Sequence, residues 1–445
     1  MEITKAQRYA VQMFRDADSI TIGKQYYLNN TDIKHTGVVA KSEGADSVFR
    51  QADNRISHNF HQILVDEKIS YMFTYPILID VDGNRAVNAK VDEILGADFT
   101  KKMSNLGIEA SNVGSAWIHY WADEEGFKYG QIPTEQIHAF YSNDLNRKLT
   151  EVLRVYKVVE HDERLNPTNY YVIEDWTETT FDKYVFKDHI DGPRVNSDDK
   201  TILHNFGKVP FIQFSNNSQK TSDLDKYKDL VDLYDRVMSG YANDIEDIQQ
   251  VIFVLRGYGG TKLNKLIEGL KRDKAIKLDS DESGNAGGLD TLTIEIPVEA
   301  RNSILEILKK QIYESGQGLQ QDSESFGNAS GVALKFFYRK LELKSGLMET
   351  EFRKGLDMLI RAILDFYHIS YSDITQDWTR NMISVDIEDA QIAVQSSGIL
   401  PRKLILRNHP WVRDVDEAEK LLDKEAQDNV NMFNSYQFGD VDDNN

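Results

Sequence analysis

Apolar residues recur every three or four positions along much of the chain, which is the spacing of one buried face of an α-helix. In the N-terminal part this spacing predicts three helices, at residues 1–17, 55–73 and 88–113. A polar stretch that contains glycines, residues 20–53, separates the first two. Pro76 ends the second helix, so residues 77–81 are predicted to form a strand.

The pattern changes between residues 115 and 214. Short runs of aromatic and β-branched residues, such as SAWIHYWAD and NYYVIEDWTET, alternate with turn-forming sequences such as DEEG and LNPTN. Strands of this length joined by short turns are typical of antiparallel sheets. The sequence therefore predicts an antiparallel β meander in this region.

Helical spacing returns after the meander. Apolar residues from Tyr227 to Leu255 predict one helix of about 29 residues, roughly 43 Å long. The glycines of GYGG (257–260) end it, and an insert of a short helix, two strands and an acidic turn (279–290) follows. Pro297 then opens another helix. Two helices that flank a small α/β insert suggest a stalk with a tip.

The stretch SESFGNASGVALKFF joins a polar, glycine-containing loop to a long helix. Ser330 is a good N-cap residue, and the apolar spacing after it predicts about 37 helical residues, roughly 55 Å. Gly346 and Gly355 are candidate kinks in this helix. Residues 369–387 are expected to be strand or loop, and short helices are expected from residue 388 onward.

Composition narrows the possible functions. The 445 residues include 52 Lys and Arg against 72 Asp and Glu, a formal net charge of -20, which argues against tight binding of DNA phosphates. The absence of cysteine excludes disulfides, thiolate catalysis and Cys-based metal sites, and it fits assembly in a reducing cytoplasm. The N-terminus does not resemble a signal peptide, and no apolar run approaches the roughly 18 residues of a membrane span.

No sequence motif indicates a catalytic or metal-binding site more strongly than chance would. RGYGGTK has the glycines and lysine of a phosphate-binding loop in the wrong order. Asp279, Asp281 and Gly284 have EF-hand spacing, but Asp290 replaces the closing glutamate, so a solvated turn is preferred. His58 and His61 lie one helical turn apart, yet a metal site needs two more ligands. No catalytic residue, metal or cofactor is predicted, and the chain is not expected to be an enzyme.

The order of these segments resembles the portal (head–tail connector) proteins of tailed bacteriophages, particularly the dodecameric portals of siphophages that infect Gram-positive hosts. Four stretches carry the resemblance: NRISHNFHQILVDEKISYMFTYPI, the segment from VPFIQFSNN to VLRGYGG, IEIPVEARNSILEILKKQIYESGQG, and FGNASGVALKFFYRKLELKSGLMETEFRKGLDML. They occur in the family's order from about residue 50 to residue 410. Residues 1–50 carry little resemblance, and their role is left open.

The resemblance implies an α+β portal fold that assembles as a ring, normally of twelve subunits. It implies these parts: wing, 1–237; stem helix, 238–256; clip, 257–296; second stem helix, 297–315; tunnel loop, 316–331; long helix and return to the wing, 332–387; crown, 388–430; and a disordered tail, 431–445. The tunnel loop would line the narrowest part of a central DNA channel, and the clip would face outward to partner proteins.

The resemblance also indicates which residues would act. The DNA-channel residues would be Gln317, Gln320, Gln321, Ser323, Ser325, Asn328, Lys335 and Arg339, and the partner-binding residues of the clip would be Lys262, Lys265, Lys271 and Arg272. The loop itself carries Asp322 and Glu324 and no basic residue, which suits a surface along which a polyanion slides.

The implied partners are other copies of the chain, double-stranded DNA, terminase, a head-completion adaptor, and scaffolding and major capsid proteins. The implied location is the capsid vertex of the virion after assembly in the host cytoplasm, with no membrane involved. Two alternatives remain open from the residues alone. One is a different ring-forming protein of capsid assembly, and the other is a cytoplasmic enzyme with an unrecognised active site.

Overall fold

A computed structural model describes residues 2–36, 52–192, 194–195, 201–248, 252–256, 288–292, 297–319, 331–382, 386–407, 409, 412 and 415–437. The chain divides into two compact units. The first comprises Met1–Gly318 and Lys344–Thr379, and the second comprises Leu319–Leu343 and Arg380–Asn445.

The first unit begins with five helices. They are α1 (Ile3–Tyr27), α2 (Ile33–Thr36), α3 (Phe60–Phe73), α4 (Arg85–Leu95) and α5 (Phe99–Val113). The first helix extends ten residues beyond the predicted end at residue 17, so the expected polar stretch from residue 20 is in part helical. The helix predicted over 88–113 is two helices, because Gly96 adopts a positive φ of 81° between them.

Gly23 lies within α1, at the point where α1 packs against α5. A Cβ atom at this position would overlap the backbone carbonyl of Asn112 in α5. Only glycine therefore lets the two helices approach this closely.

The predicted antiparallel meander is confirmed, but its strands form two sheets. Strands β4 (Ile137–Tyr141), β5 (Leu149–His161), β6 (Pro167–Trp176), β7 (Thr180–Lys187) and β8 (Ile202–Leu203) pair in sequence order. Strands β2 (Ser115–Asp123) and β3 (Gly126–Ile132) form a hairpin, and β9 (Phe211–Ser215) returns to the other side of β2. Together with the helices, these sheets confirm the predicted α+β class.

Helix α1 packs on the five-stranded sheet. Its buried residues Ala6, Ala10 and Met13 contact the sheet residues Leu153 and Ile173. Their spacing of four and three residues places the three side chains on one face of the helix. This N-terminal segment, whose role the sequence left open, is thus part of the core of the first unit.

Helix α6 (Lys228–Ile248) ends earlier than the sequence predicts. The helix was expected to run to Leu255, but β10 (Ile252–Arg256) lies there and pairs antiparallel with β11 (Gly288–Leu292). The run VIFVL is apolar at every position, so it satisfies helical spacing while its β-branched residues favour a strand. The other predicted elements of the insert lie outside the described residues.

Helices α7 (Val298–Gly316) and α8 (Gly331–Phe366) agree with the predicted elements on either side of the loop. Helix α8 has 36 residues and continues through both Gly346 and Gly355, so neither glycine interrupts it. A Cβ atom at Gly355 would lie 2.7 Å from the Phe214 ring, which shows that this glycine makes room for an aromatic side chain. The predicted cap Ser330 lies outside the described residues.

The chain then returns to the first unit through a strand. Strand β12 (Ile374–Asp377) pairs antiparallel with β1 (Leu78–Val81). The carboxylate of Asp82 accepts hydrogen bonds from the backbone N–H groups of Ser372 and Asp373, both at 2.8 Å. This places a strand inside the region where strand or loop was expected.

The second unit contains the first part of α8 and three further helices. These are α9 (Asp386–Gln395), α10 (Arg402–Arg407) and α11 (Val415–Gln437). Helix α11 passes residue 431, where a disordered tail was expected to begin. Among the described helices, none combines the length and the apolar character that crossing a bilayer requires.

Candidate functional site: a buried ion cluster beside the loop 316–331

The described residues include three of the eight predicted channel residues. Gln317 follows α7 in the left-handed conformation, with φ of 56°, and Arg339 is exposed on α8. Lys335 lies in the first turns of α8. The other five channel residues, Gln320, Gln321, Ser323, Ser325 and Asn328, lie outside the described residues. So do the four predicted clip residues, Lys262, Lys265, Lys271 and Arg272.

A buried cluster of charges lies where the loop begins. Asp223, in the segment between β9 and α6, is contacted by two lysines from different helices. Lys68 Nζ of α3 lies 2.6 Å from Asp223 Oδ2, and Lys344 Nζ of α8 lies 3.0 Å from the same oxygen. The exposed fractions of Lys68 and Lys344 are 0% and 4%. Three separate parts of the chain therefore meet at one carboxylate.

Neutral groups complete the hydrogen bonding of the cluster. Lys68 Nζ also donates to Asn216 Oδ1 at 2.8 Å, and Asn216 Nδ2 donates to Asp223 Oδ1 at 3.0 Å. The backbone N–H of Asp223 donates to the carbonyl of Ser111 at 2.9 Å. A buried ion pair is stable only when its remaining donors and acceptors are satisfied, and these contacts meet that condition.

The charges shift the pKa values of the cluster. Burial alone would raise the pKa of Asp223, but attraction to Lys344 and Lys68 outweighs burial, so the pKa lies well below the ordinary value. Burial lowers the pKa of Lys68 to about 8, against the attraction of Asp223. At neutral pH Asp223 is therefore ionised and Lys68 is mostly protonated.

Lys344 links this cluster to the loop. Its Nζ donates to the backbone carbonyl of Gly316, the last residue of α7, at 2.9 Å. A Cβ atom at Gly316 would lie 2.6 Å from Leu64 Cδ1, so a glycine is required for the close packing of α7 against α3. The Gly318 N–H donates to the carbonyl of Tyr313 at 3.0 Å and closes the end of the helix.

Residues 7–432 match the family model for phage portal proteins of the SPP1 Gp6-like type. The chain belongs to this portal protein family. The portal protein of Clostridium phage phiCD119 is 54% identical over 95% of both chains. The portal protein of Bacillus phage SPP1 is 28% identical over 92% of this chain and 84% of that protein.

Solved structures with a similar chain include the neck of an empty gene transfer agent particle computed with C6 symmetry. The TM-score is 0.46, with 10% sequence identity over 78% of this chain and 88% of that chain. The neck of a native particle computed with C12 symmetry gives a TM-score of 0.42 at 9% identity. The family model and the two portal relatives confirm the predicted family and the predicted function of a phage portal protein, a component of the virion with a structural role.

The portal protein also uses a polar face of α6 to hold the segment before α3. Backbone N–H groups of residues 54, 56 and 58 donate to Asn243 Oδ1, Ser239 Oγ and Asp235 Oδ1 at 2.6, 2.9 and 3.1 Å. An extended chain advances about 6.6 Å over two residues, and a helix advances about 6 Å over four residues. Every second backbone N–H of this segment therefore lies beside every fourth side chain of α6. We call residues 54–58 the strap.

Two histidines that the sequence singled out belong to this framework. His58 Nδ1 lies 2.8 Å from Asp235 Oδ1, at the end of the strap. His61 is buried beside the ion cluster, with Nδ1 2.6 Å from the Tyr227 hydroxyl and Nε2 2.9 Å from Asn112 Oδ1. Because Asn112 Oδ1 only accepts, Nε2 carries the proton and Nδ1 accepts from Tyr227. Within the described ranges, no group of three or more His, Asp or Glu residues is arranged to hold a metal ion.

The burial of His61 predicts that the stability of the folded protein depends on pH. Burial lowers the pKa of His61 to about 4, whereas an imidazole in the unfolded chain titrates near 6.5. Between these values only the unfolded chain binds the proton, so stability is full above pH 6.5 and falls as the pH drops towards 4. We expect His61 to contribute a slope of up to about 1.4 kcal/mol per pH unit to the free energy of unfolding.

Urea unfolding of the full-length protein at several pH values between 7.5 and 4.5 measures this slope. His61→Gln should flatten it, whereas the exposed His189→Gln should leave it unchanged. His119, whose pKa burial also lowers to about 4, contributes equally to all three proteins. An unchanged slope in His61→Gln would show that the pKa of His61 is the same in the folded and unfolded protein, which contradicts the prediction.

Proposed function

We propose that this portal protein forms a closed ring of twelve subunits at one capsid vertex and that viral DNA enters and leaves the capsid through its central channel. The observation that carries this proposal is the match to the portal family model over residues 7–432. The high identity to the phiCD119 portal protein along nearly its whole length supports the same role for every part of the chain.

The loop 316–331 is proposed to line the narrowest part of that channel. Its position between α7 and α8 supports this role, since both helices agree with the arrangement that the family resemblance implies. Its charge also supports the role, because two acids and no base give DNA phosphates no strong partner. Arg339, exposed near the start of α8, is a proposed transient contact for the phosphates.

The proposed partners are those that packaging requires. The clip at residues 257–296 would contact terminase during packaging and the head-completion adaptor afterwards, through Lys262, Lys265, Lys271 and Arg272. Scaffolding and major capsid proteins would surround the ring during assembly in the host cytoplasm. The antiparallel pairing of β10 with β11 supports a separate insert here, because it brings Arg256 next to Gly288.

Shortening the loop by removing residues 320–326 tests this function. We expect the variant to form rings in negative-stain micrographs but to yield heads that lack DNA, because the channel surface is altered while the helices remain. The measurement is the fraction of DNA-filled heads after complementation of a phage that lacks its own portal gene. Removal of the exposed β5–β6 turn, residues 162–166, controls for a general effect of shortening the chain.

Two results would contradict the proposal. Normal numbers of DNA-filled heads from the loop variant would show that the loop does not line the channel. If micrographs showed no rings in wild-type heads and only monomers of the purified protein, the proposed ring would be contradicted.

A further inference from the structure

The ion cluster lies beside both points at which the chain passes between its two units on either side of the loop. The chain leaves the first unit after Gly318 and re-enters it at Lys344. We call the intervening residues, Leu319–Leu343, the arm. It contains most of the loop 316–331 and the first part of α8. The bond from Lys344 Nζ to the Gly316 carbonyl therefore joins the residue that follows the arm to a residue just before it, and we call these two residues the ends of the arm.

This bond is made by a buried charged group. Lys344 Nζ donates one hydrogen bond to Gly316 O at 2.9 Å and forms an ion pair with Asp223 Oδ2 at 3.0 Å. Hydrogen bonds to charged groups are stronger than neutral ones, and burial excludes the water that would replace them. Both ends of the arm are thus held by one side chain that cannot easily exchange its partners.

The far side of the cluster is fixed by the framework of the first unit. Asp223 is held by Lys68 of α3, by Asn216 after β9, and by the carbonyl of Ser111 in α5. None of these partners belongs to the arm. Lys344 therefore connects the ends of the arm to elements that are themselves packed in the core.

We propose that Lys344 is a positioning residue for the passage of DNA: it fixes both ends of the arm and so holds the channel loop at a set place in each subunit. The inference rests on the proposed function of the loop 316–331. Without this bond the two ends of the arm can separate, and twelve loops no longer define one constriction.

The charges of the cluster make this inference testable without unfolding the protein. Lys344→Met removes one of two ammonium groups and leaves Lys68 paired with Asp223. The remaining pair is neutral, and Met fills a similar volume along α8. Lys344→Gln is a second variant, since its amide can still donate to a carbonyl but carries no charge.

Hydrogen–deuterium exchange of the full-length protein provides the first measurement. In Lys344→Met we expect the amides of Gln317 and Gly318 to exchange about tenfold faster, while the sheet β4–β8 is unchanged. Lys344→Gln should give a smaller increase, and Lys344→Arg should restore slow exchange in part. Lys354→Met, at an exposed position of the same helix, is the matched control.

Complementation provides the second measurement. Lys344→Met should form rings in normal number and give several-fold fewer DNA-filled heads than Lys354→Met. Unchanged exchange at residues 317–318, or an equal increase across the whole first unit, would overturn the inference. Normal filling despite faster local exchange would overturn it too. Failure of the proposed loop function would appear separately, as normal filling by the variant that lacks residues 320–326.

Discussion

Replacing Asp223 with Asn is expected to lower the free energy of unfolding by about 3–5 kcal/mol. The substitution keeps the shape of the side chain but removes the negative charge that pairs with Lys68 and Lys344 in the cluster. Two buried ammonium groups would then lie close together without a carboxylate. Urea unfolding of the full-length protein at pH 7 measures the loss, and Asp225→Asn, at an exposed position two residues away, is the control.

The same substitution can be partly rescued. Adding Lys344→Met to Asp223→Asn removes one of the two uncompensated charges, so the double variant should be more stable than Asp223→Asn alone. A loss below about 1 kcal/mol in Asp223→Asn, the usual effect of an ordinary substitution, would show that the lysines do not depend on this carboxylate. A double variant less stable than either single one would lead to the same conclusion.

Replacing Gly23 with Ala is expected to destabilise the protein by about 1–3 kcal/mol, although alanine favours helices. The added Cβ would overlap the Asn112 carbonyl, so α1 and α5 would have to move apart. Asn112 also accepts the hydrogen bond of His61, so the displacement reaches the neighbourhood of the ion cluster. Thermal unfolding of the two proteins measures the effect.

Gly346→Ala is the matched control, because a Cβ at this helical position meets nothing within 4 Å. It should stabilise α8 by about 0.5–1 kcal/mol, the ordinary gain from replacing a helical glycine. Gly23→Ala that behaves like Gly346→Ala would mean that α1 and α5 do not pack as closely as the structure shows.

Long, regular patterns predicted the fold well. Helix α8 was predicted nearly in full because its apolar residues keep one spacing for ten turns, and the strands of the meander were predicted because turn residues separate them. The predicted end of α6 was wrong, because a run of apolar residues carries no periodicity that could distinguish a helix from a strand. The prediction ended α1 ten residues early, because the polar stretch that follows residue 17 gives no sign of the contact that Gly23 makes with Asn112.

The ion cluster was not predicted, since the default position of a helical lysine is the solvent-facing side. A local signal existed all the same. Lys68 follows His61 and Leu64 at helical spacing, and Lys344 lies between Leu341 and Met348 in the apolar stripe of α8. A lysine within an apolar stripe indicates a buried partner. The partner itself, Asp223, lies 155 residues from Lys68, and only the tertiary fold brings them together.

The pairing of β1 with β12 has a consequence for synthesis. Val81 pairs with Ile374, so β1 leaves the ribosome long before its partner exists. At about 5–20 residues per second, the delay between the synthesis of β1 and that of β12 is roughly 15–60 s. The delay between Lys68 and Lys344 is almost as long. The first unit therefore cannot be completed until β12 and the residues up to Thr379 have been synthesised. A nascent chain that still lacks β12 therefore cannot yet supply a complete first unit to a ring.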